Sequence, residues 1–280
     1  MWLNGALVFG ALGALLLLER RRPLRRMTQD KTRRDVRNLA IAALAGATVA
    51  IAQAPVIGPL TRFVERRRIG LLKVARLPEP IESLLAIVLM DYTLWVWHYL
   101  THRVPFLWRF HEAHHVDLDL DATTALRFHF GEMLLSLPWR AAQVALFGVS
   151  PRAFSIWQTA TTVQILFHHS NVRLPERLER FLCHVIVTPR MHGIHHSIVK
   201  GETDSNWSTI FSFPDRLHGT LRLNVPQSAI TIGVPAYGGD LTLGEALGLP
   251  FRRVLWRWTR PEQPAPTREP QPLPSTALAV

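Results

Sequence analysis

The sequence predicts an all-α fold, namely a multi-pass membrane helical bundle with a cytoplasmic, histidine-rich helical cap. Hydrophobic residues make up 48% of the 280 residues and stand in long blocks, which is the pattern of membrane helices. Arginine and lysine residues flank these blocks and explain the formal net charge of +11, since basic loops orient membrane helices. Histidines stand beside the blocks at separations of three and four residues, the spacing of one helical face.

Charge and cysteine content narrow the function classes. No nucleic-acid-binding module accompanies the positive charge, so a nucleic-acid partner is not expected. The single cysteine, Cys183, excludes an intramolecular disulfide and is interpreted as a small buried apolar residue.

The first predicted membrane helix covers residues 2–18. Charge follows this apolar run and no Ala-x-Ala cleavage pattern is present, which argues against a signal peptide. The next segment, 20–37, carries nine Lys and Arg residues and is predicted to be cytoplasmic. The N-terminus would then lie on the external side.

Two further spans are predicted at 39–60 and 84–100. Pro55, Gly58 and Pro59 predict a break near the end of the first of these two. The segment 62–76 carries six Lys and Arg residues and would fall on the outer side. Either it lies in the interface as an amphipathic stretch, or the span before it does not cross the bilayer.

A helical hairpin is predicted from 133–149 and 153–169, with its turn at Ser150-Pro151-Arg152. Each arm has about 17 residues, the lower limit for crossing a bilayer core, so the arms are either short tilted spans or a re-entrant hairpin. Alternate crossing by the spans places every histidine cluster on the cytoplasmic face.

These elements predict four regions. They are N-terminal membrane helices with a basic loop (1–80), a histidine-box domain containing the hairpin (81–225, hairpin 133–170), a C-terminal interfacial segment (226–258) and a disordered proline-rich tail (259–280).

Three short clusters hold eight of the thirteen histidines. Imidazole is the commonest protein metal ligand, and one mononuclear zinc site takes only about four ligands. Eight imidazoles therefore suggest two metals held close together. The clusters are His98-x-x-x-His102, His111-x-x-His114-His115 and His192-x-x-His195-His196.

Asp91 lies on the same helical stripe as Trp95, His98 and His102. A carboxylate inside an apolar run is costly and usually functional. Two interpretations stay open: Asp91 is a hydrogen-bond partner of a ligand histidine, or a polar residue satisfied by a neighbouring helix.

The order of the clusters resembles the histidine boxes of the membrane fatty-acid hydroxylase/sterol desaturase superfamily. The resemblance runs from Arg33 to Thr220 and includes local motifs between and after the boxes. These motifs are Arg127-Phe128-His129, His169-Ser170-Asn171, Asp204-Ser205-Asn206 and Asp215-Arg216-Leu217. Departures at Phe130, Trp207-Ser208, Pro214 and His218 leave the box histidines intact and concern the substrate pocket and the cap surface.

The resemblance implies a cytoplasmic centre of two iron ions and divides the ligands between them. One ion would be held by His98, His111, His114, His192 and His195. The other would be held by His102, His115, His169 and His196. Residues implied as further ligands or as partners of ligands are His129, His168, Asp91, Asn171 and Asn206.

The implied reaction is O2-dependent oxidation, most simply hydroxylation, of a C–H bond of a lipid such as a sterol or fatty acyl chain. Electrons would come from a separate donor (a reductase, ferredoxin or cytochrome), because the sequence has no nucleotide-binding glycine pattern, haem-attachment motif or cysteine cluster. The patterns do not choose between hydroxylation and desaturation. The Ala- and Arg-rich composition favours a bacterial inner-membrane protein. Candidate lining residues, which also fit an interfacial aromatic belt, are Trp95, Trp97, Phe106, Trp108 and Trp139.

Two alternatives remain. His111-Glu112-x-x-His115 also satisfies the H-E-x-x-H pattern of a zinc metalloprotease, with Glu112 as the general base. That pattern leaves the other two clusters unexplained. A non-enzymatic metal carrier would instead place histidines deep within several spans, whereas here they stand at the ends of spans.

Overall fold

The computed structural model describes residues 2–252 and 266–268. Within them the regular secondary structure is helical, without a strand, and the all-α prediction is confirmed. Isolated antiparallel bridges join Pro23 to Val172, Ile186 to Phe211 and Ser197 to Ile232. The predicted tail, 259–280, lies outside the described residues except for 266–268, as do residues 253–258 of the predicted C-terminal segment.

In the described part of the chain all the long helices end by His169, and the helices after that residue are short. The α-helices of the described part are α1 (Trp2–Arg21), α2 (Lys31–Thr48), α3 (Ala54–Arg67), α4 (Leu71–Val74), α5 (Glu79–Arg103), α6 (Pro105–His115), α7 (Phe130–Phe147), α8 (Pro151–His169), α9 (Glu176–Leu182), α10 (Pro189–His195), α11 (Lys200–Thr203), α12 (Phe213–Leu217) and α13 (Leu243–Gly248).

The predicted break at Pro55 to Pro59 is wrong, because α2 runs into α3 through one wide turn. In this π-helical turn, Val49–Gln53, the N–H of Ala54 donates to the carbonyl of Val49, five residues back. Pro55 then stands in the first turn of α3, where a helix needs no N–H donor from the proline. Pro59 lies inside α3, and the helix continues past it.

Two helical stretches are long and apolar enough to cross a membrane by length and composition, Lys31–Val74 and Glu79–Arg103. They contain the predicted second and third spans. Helices α1, α7 and α8 are not among these candidates in the part of the chain that is described.

The predicted hairpin is formed by α7 and α8. Gly148 ends α7 with a φ of 75°, and an added Cβ would come within 2.5 Å of the Ile69 carbonyl oxygen. The Ser150 hydroxyl then caps α8 by accepting a hydrogen bond from the Ala153 N–H at 3.1 Å. The hairpin packs on α3 and α5 through a core that includes Ile57, Val64, Met90, Val144 and Trp157. This packing brings the C-terminal ends of α5 and α8 and the start of α7 to one end of the bundle.

A buried charge network ties α2 to the segment that follows α6. The Arg34 guanidinium lies 3.1 Å from Asp117 and 2.7 Å from Asp121, and all three side chains are buried. Burial alone would raise the pKa of Asp121, but Arg34 and Lys31 hold it below its ordinary value. Since each of these buried charges is paired, the network fixes the segment that follows the second histidine cluster against α2.

Candidate metal centre

The structure brings all three clusters together, although they are up to about a hundred residues apart in sequence. Nine imidazoles form two neighbouring groups, and within each group the potential ligand atoms lie within 4.8 Å of one another. The first group, called here the five-imidazole group, contains His98, His102, His111, His115 and His195. The second, the four-imidazole group, contains His114, His169, His192 and His196.

Helical spacing explains how each cluster contributes. Residues four apart on a helix share a face, and each such pair points into one group. His98 and His102 of α5 enter the five-imidazole group, as do His111 and His115 of α6. The pair from α10, His192 and His196, enters the four-imidazole group instead.

In each HxxHH box the middle histidine belongs to the other group. His114 joins the four-imidazole group although its helical neighbours His111 and His115 do not, and His195 joins the five-imidazole group. Each HxxHH box therefore contributes to both groups.

The division implied by the resemblance is not the one that the distances give. His114 and His192 were predicted beside His98, but they lie with His169, while His102 and His115 lie with His98. The prediction separated His111 from His115, whereas the i, i+4 relation keeps them on one face. The nine residues brought together are the same in both divisions.

Hydrogen bonds at Nδ1 aim several of these rings. The Nδ1–H of His98 donates to the Trp207 carbonyl, and that of His195 donates to the Ser205 carbonyl, both at 2.8 Å. His169 donates in the same way to Ile165 at 2.8 Å. Metal-binding histidines usually hold a carbonyl or carboxylate through the ring nitrogen opposite the metal, which fixes tautomer and orientation. The Nε2 atoms of these rings are thereby directed at the centre.

The spacing and the surroundings of the Nε2 atoms fit bound metal ions. In the four-imidazole group, Nε2 of His169 lies 2.9 Å from that of His114 and 3.0 Å from that of His192. Two nitrogens bound to one ion at a right angle by bonds of about 2.1 Å would be about 3.0 Å apart. In the five-imidazole group, the buried Nε2 atoms of His102, His111 and His195 have no hydrogen-bond partner in the described part of the chain, which is costly unless an ion binds them.

Residues 205–211, called here the 205–211 segment, supply the carbonyls that orient two of these rings. Asp91 accepts hydrogen bonds from the N–H groups of Ile210 and Phe211, both at 3.0 Å. Asp215 accepts from the N–H groups of Trp207 and Ser208 at 3.1 and 2.9 Å. Asp91 thus bonds the backbone of this segment and acts on the histidines only through it.

Glu132 is a partner that sequence reasoning missed. Its carboxylate accepts a hydrogen bond from Nδ1 of His111 at 3.1 Å, and both side chains are buried. Glu132 stands at the start of α7 and belongs to no histidine motif. Its place beside the apolar hairpin arm was the available signal, because a carboxylate there needs a partner.

A family model of known proteins matches this part of the chain. Residues 83–220 match fatty acid hydroxylase. Over this region, which is just under half of the chain, the sequence matches that family. The predicted resemblance is confirmed, and all nine imidazoles lie inside the matched region.

Three curated proteins that are similar to this region have names that describe enzymes acting on lipids. Ornithine lipid hydroxylase of Rhizobium tropici is 31% identical over 180 residues, which cover 63% of this chain and 52% of the relative. Mouse cholesterol 25-hydroxylase is 26% identical over 154 residues, covering 54% of this chain and 50% of the relative. Alkylglycerol monooxygenase of Xenopus tropicalis is 28% identical over 132 residues, covering 47% of this chain and 28% of the relative. The chain thus spans about half, or less, of each relative's length. No solved structure matches it.

The other predicted site residues have separate roles in this fold. His129 uses both ring nitrogens away from the centre, since Nδ1 accepts from the Gly131 N–H and Nε2 donates to the Leu247 carbonyl. His168 donates from Nδ1 to the Thr209 carbonyl at 3.2 Å, and its ring lies 4.1 Å from that of His192.

The two asparagines bind backbone rather than imidazole. Asn206 donates to the carbonyl of Met191, the residue before the last box, at 2.8 Å. Asn171 exchanges hydrogen bonds with the backbone of Arg25, at 2.8 and 2.9 Å, and so holds the loop after α1.

Glu112, the base required by the protease alternative, lies away from the imidazole groups. Its buried carboxylate accepts a hydrogen bond from the Tyr237 hydroxyl at 3.3 Å. Burial raises the pKa of Glu112 to about 7, and the Tyr237 hydrogen bond opposes that rise. His111 and His115 belong to the five-imidazole group, not to an isolated H-E-x-x-H site.

A cavity of about 400 Å³ extends from the imidazoles between α2, α5, α7 and α8. That volume is in the range of small-molecule binding sites, and the walls are mainly apolar. Of the predicted aromatic lining residues only Trp97 borders it; Trp95 instead donates to Asp215 at 2.9 Å. Histidines that border the cavity are His98, His111, His114, His168, His169 and His192.

Proposed function

We propose that this protein is an O2-dependent lipid hydroxylase, which oxidises a C–H bond of a lipid at two iron ions. The observation that carries the proposal is the pair of buried imidazole groups opening onto an apolar cavity. The names of the relatives support a lipid substrate, since each is a lipid hydroxylase or monooxygenase.

The nine histidines would be the ligands, five on one ion and four on the other. Bound iron would supply the activation of O2. The balanced reaction consumes the C–H substrate, O2, two electrons and two protons, and yields the alcohol and water. Hydroxylation is the form proposed, and desaturation is the alternative outcome of the same chemistry.

The chain's own contribution is orientation and exclusion of water. Glu132 and the carbonyls of the 205–211 segment hold the Nδ1 sides of His111, His98 and His195, so that little reorganisation is needed when the metals bind. The apolar walls of the cavity hold an alkyl chain beside the imidazoles.

The proposed reaction needs an electron donor and a source of lipid. A separate reductase, ferredoxin or cytochrome would deliver the electrons, and the bilayer would deliver the lipid. We place the protein in the membrane as a multi-pass bundle with its histidines on the cytoplasmic side, in a bacterial inner membrane. The two long apolar stretches support this placement. The four-region division at residues 80, 225 and 258 belongs to the same proposal.

Metal analysis and lipid analysis test the proposal together. Purified protein should contain two equivalents of iron, and cells that express it should accumulate an oxidised lipid absent from cells expressing His192→Ala. The exposed His184, whose Nδ1 lies 3.2 Å from the Arg216 guanidinium, offers the matched control His184→Ala. One equivalent of zinc, or identical lipids in all three strains, would count against the proposal.

A further inference from the structure

The end of the cavity remote from the histidines contains an arginine. Arg140 of α7 borders the cavity, and its guanidinium has no hydrogen bond or ion pair among the described residues. Its Nη1 atom is buried. A charged group in such surroundings is costly to keep unpaired and usually marks a ligand or transport site.

Two further polar groups at this end are also unpartnered. The indole Nε1 of Trp157 and the hydroxyl of Thr161 are buried and find no hydrogen-bond partner within residues 2–252 and 266–268, and both residues border the cavity. Trp157 and Thr161 are four residues apart on α8 and so share a face. The Arg140 guanidinium stacks over the Trp157 ring, 4.2 Å from its centroid.

The chemistry of these groups selects the ligand. Guanidinium and indole only donate hydrogen bonds, and a hydroxyl can donate one. A set of donors with one positive charge is complementary to an oxyanion, and guanidinium in particular matches carboxylate and phosphate.

Helix geometry gives the distance between this set and the metal centre. Arg140 follows Glu132, the partner of His111, by eight residues on α7, and Thr161 precedes His169 by eight residues on α8. At 1.5 Å per residue, both helices give a separation of about 12 Å along the hairpin. An alkyl chain lying in the apolar cavity would connect the two ends.

We infer that Arg140, Trp157 and Thr161 bind the carboxylate or phosphate oxyanion of an amphiphilic substrate, with its alkyl chain directed at the imidazoles. This inference rests on the proposed function and names its substrate class, an anionic lipid. It places the oxidised carbon well away from the anionic group, because the two ends of the cavity are separated.

Binding of matched twelve-carbon amphiphiles tests this assignment without iron or O2. Dodecanoate, dodecyl phosphate and dodecanol differ only in their polar end. Each is used to displace an uncharged fluorescent alkyl probe from the purified full chain in an uncharged detergent. Wild-type protein should bind at least one anion about tenfold more tightly than the alcohol, the effect of one charged hydrogen bond. Which anion is preferred distinguishes a carboxylate from a phosphate head group.

Substitutions assign the preference to these residues. Arg140→Gln should bring the affinities for anion and alcohol to near equality, and Arg140→Lys should keep part of the difference. Arg152→Gln is the matched control, since Arg152 lies at the start of α8, the other helix of the hairpin, but is exposed and pairs with Glu79. If Arg140→Gln does not fold, Trp157→Phe and Thr161→Val decide, each with an expected loss of about threefold in anion preference.

Equal binding of anion and alcohol by wild-type protein would overturn the inference, as would equal preferences in Arg140→Gln and Arg152→Gln. Failure of the proposed function gives a different result. Anion preference without lipid oxidation would remove the oxidase proposal alone, whereas oxidation of neutral lipids without anion preference would remove only the oxyanion site.

Discussion

The two HxxHH boxes have one spacing but occupy the centre in opposite ways. The i, i+4 pair of the first box lies in the five-imidazole group and its middle histidine lies in the four-imidazole group. In the second box the pair lies in the four-imidazole group and the middle histidine in the five-imidazole group. Their support also differs. His111 of the first box is oriented by the side chain of Glu132, whereas His195 of the second is oriented by the backbone of Ser205.

This difference shows that the spacing determines which histidines of a box belong to the same group, but not which of the two groups that is. The destination depends on the direction from which α6 and α10 approach the centre. It also separates two kinds of vulnerability. A side-chain partner can be removed by one substitution, while a backbone carbonyl is disturbed only by releasing the segment that carries it.

The largest expected effect comes from removing one ligand from each group. His192→Ala should reduce bound iron to about one equivalent and abolish lipid oxidation, because the four-imidazole group has no surplus ligand. His111→Ala leaves four imidazoles in its group and should retain more iron. Iron content by elemental analysis, measured beside oxidised lipid, checks this order. Equal iron loss in the two variants would contradict the division into five and four.

A smaller effect is expected from loosening the 205–211 segment. Asp215 is fully buried and accepts hydrogen bonds from the Trp95 indole and from the backbone of Trp207 and Ser208. Asp215→Asn should lower the free energy of unfolding by about 2–4 kcal/mol, since charged hydrogen bonds are lost and the new NH2 group, which cannot accept, would face N–H donors. Thermal unfolding of purified protein measures it.

The control for this variant is an exposed carboxylate. Glu176→Gln removes the same charge from an exposed position on α9 and should change stability by less than about 0.5 kcal/mol. If Asp215→Asn were as stable as Glu176→Gln, the 205–211 segment would not depend on this aspartate.

Local patterns in the sequence were sufficient to select the nine histidines that the structure brings together and to predict most of the long helices. The nine histidines stand in three boxes and one lone motif, and the helical hairpin follows from two apolar arms around a Ser-Pro turn. Tertiary features had no such signal. Carbonyls of the 205–211 segment leave no mark in the sequence, and the approach of α10 to the centre cannot be read from the boxes.

Charges at the hairpin gave a signal that was overlooked. Glu132 and Arg140 are isolated charges beside or within an apolar arm, and such charges usually have a function. The predicted break at Pro55 and Pro59 failed for a different reason. A single wide turn moves Pro55 into a first helical turn, so the helix tolerates both prolines.

The next prediction concerns the hydrogen bond between Glu132 and His111 of the first HxxHH box. Glu132→Leu removes the acceptor of the His111 Nδ1–H and should weaken metal binding by about 10–100-fold, the usual effect of losing such a partner. Glu132→Gln keeps an acceptor oxygen and should lie between Glu132→Leu and wild type. Competition with a chelator of known affinity measures the iron affinity. A leucine variant that binds iron like wild type would show that His111 needs no partner.

The smallest effect is expected at Glu112, which lies in the first box between two histidines. Glu112→Gln conserves shape and can still accept the Tyr237 hydrogen bond, so the packing around α6 should be preserved. Iron content and lipid oxidation should stay within about twofold of wild type, because the residue faces Tyr237 and not the imidazole groups. A zinc protease using Glu112 as its base would instead lose its activity with this substitution. If Glu112→Gln preserves lipid oxidation while His111→Ala loses iron, these two adjacent residues of one box have different roles. The reason would be that they lie on different sides of α6.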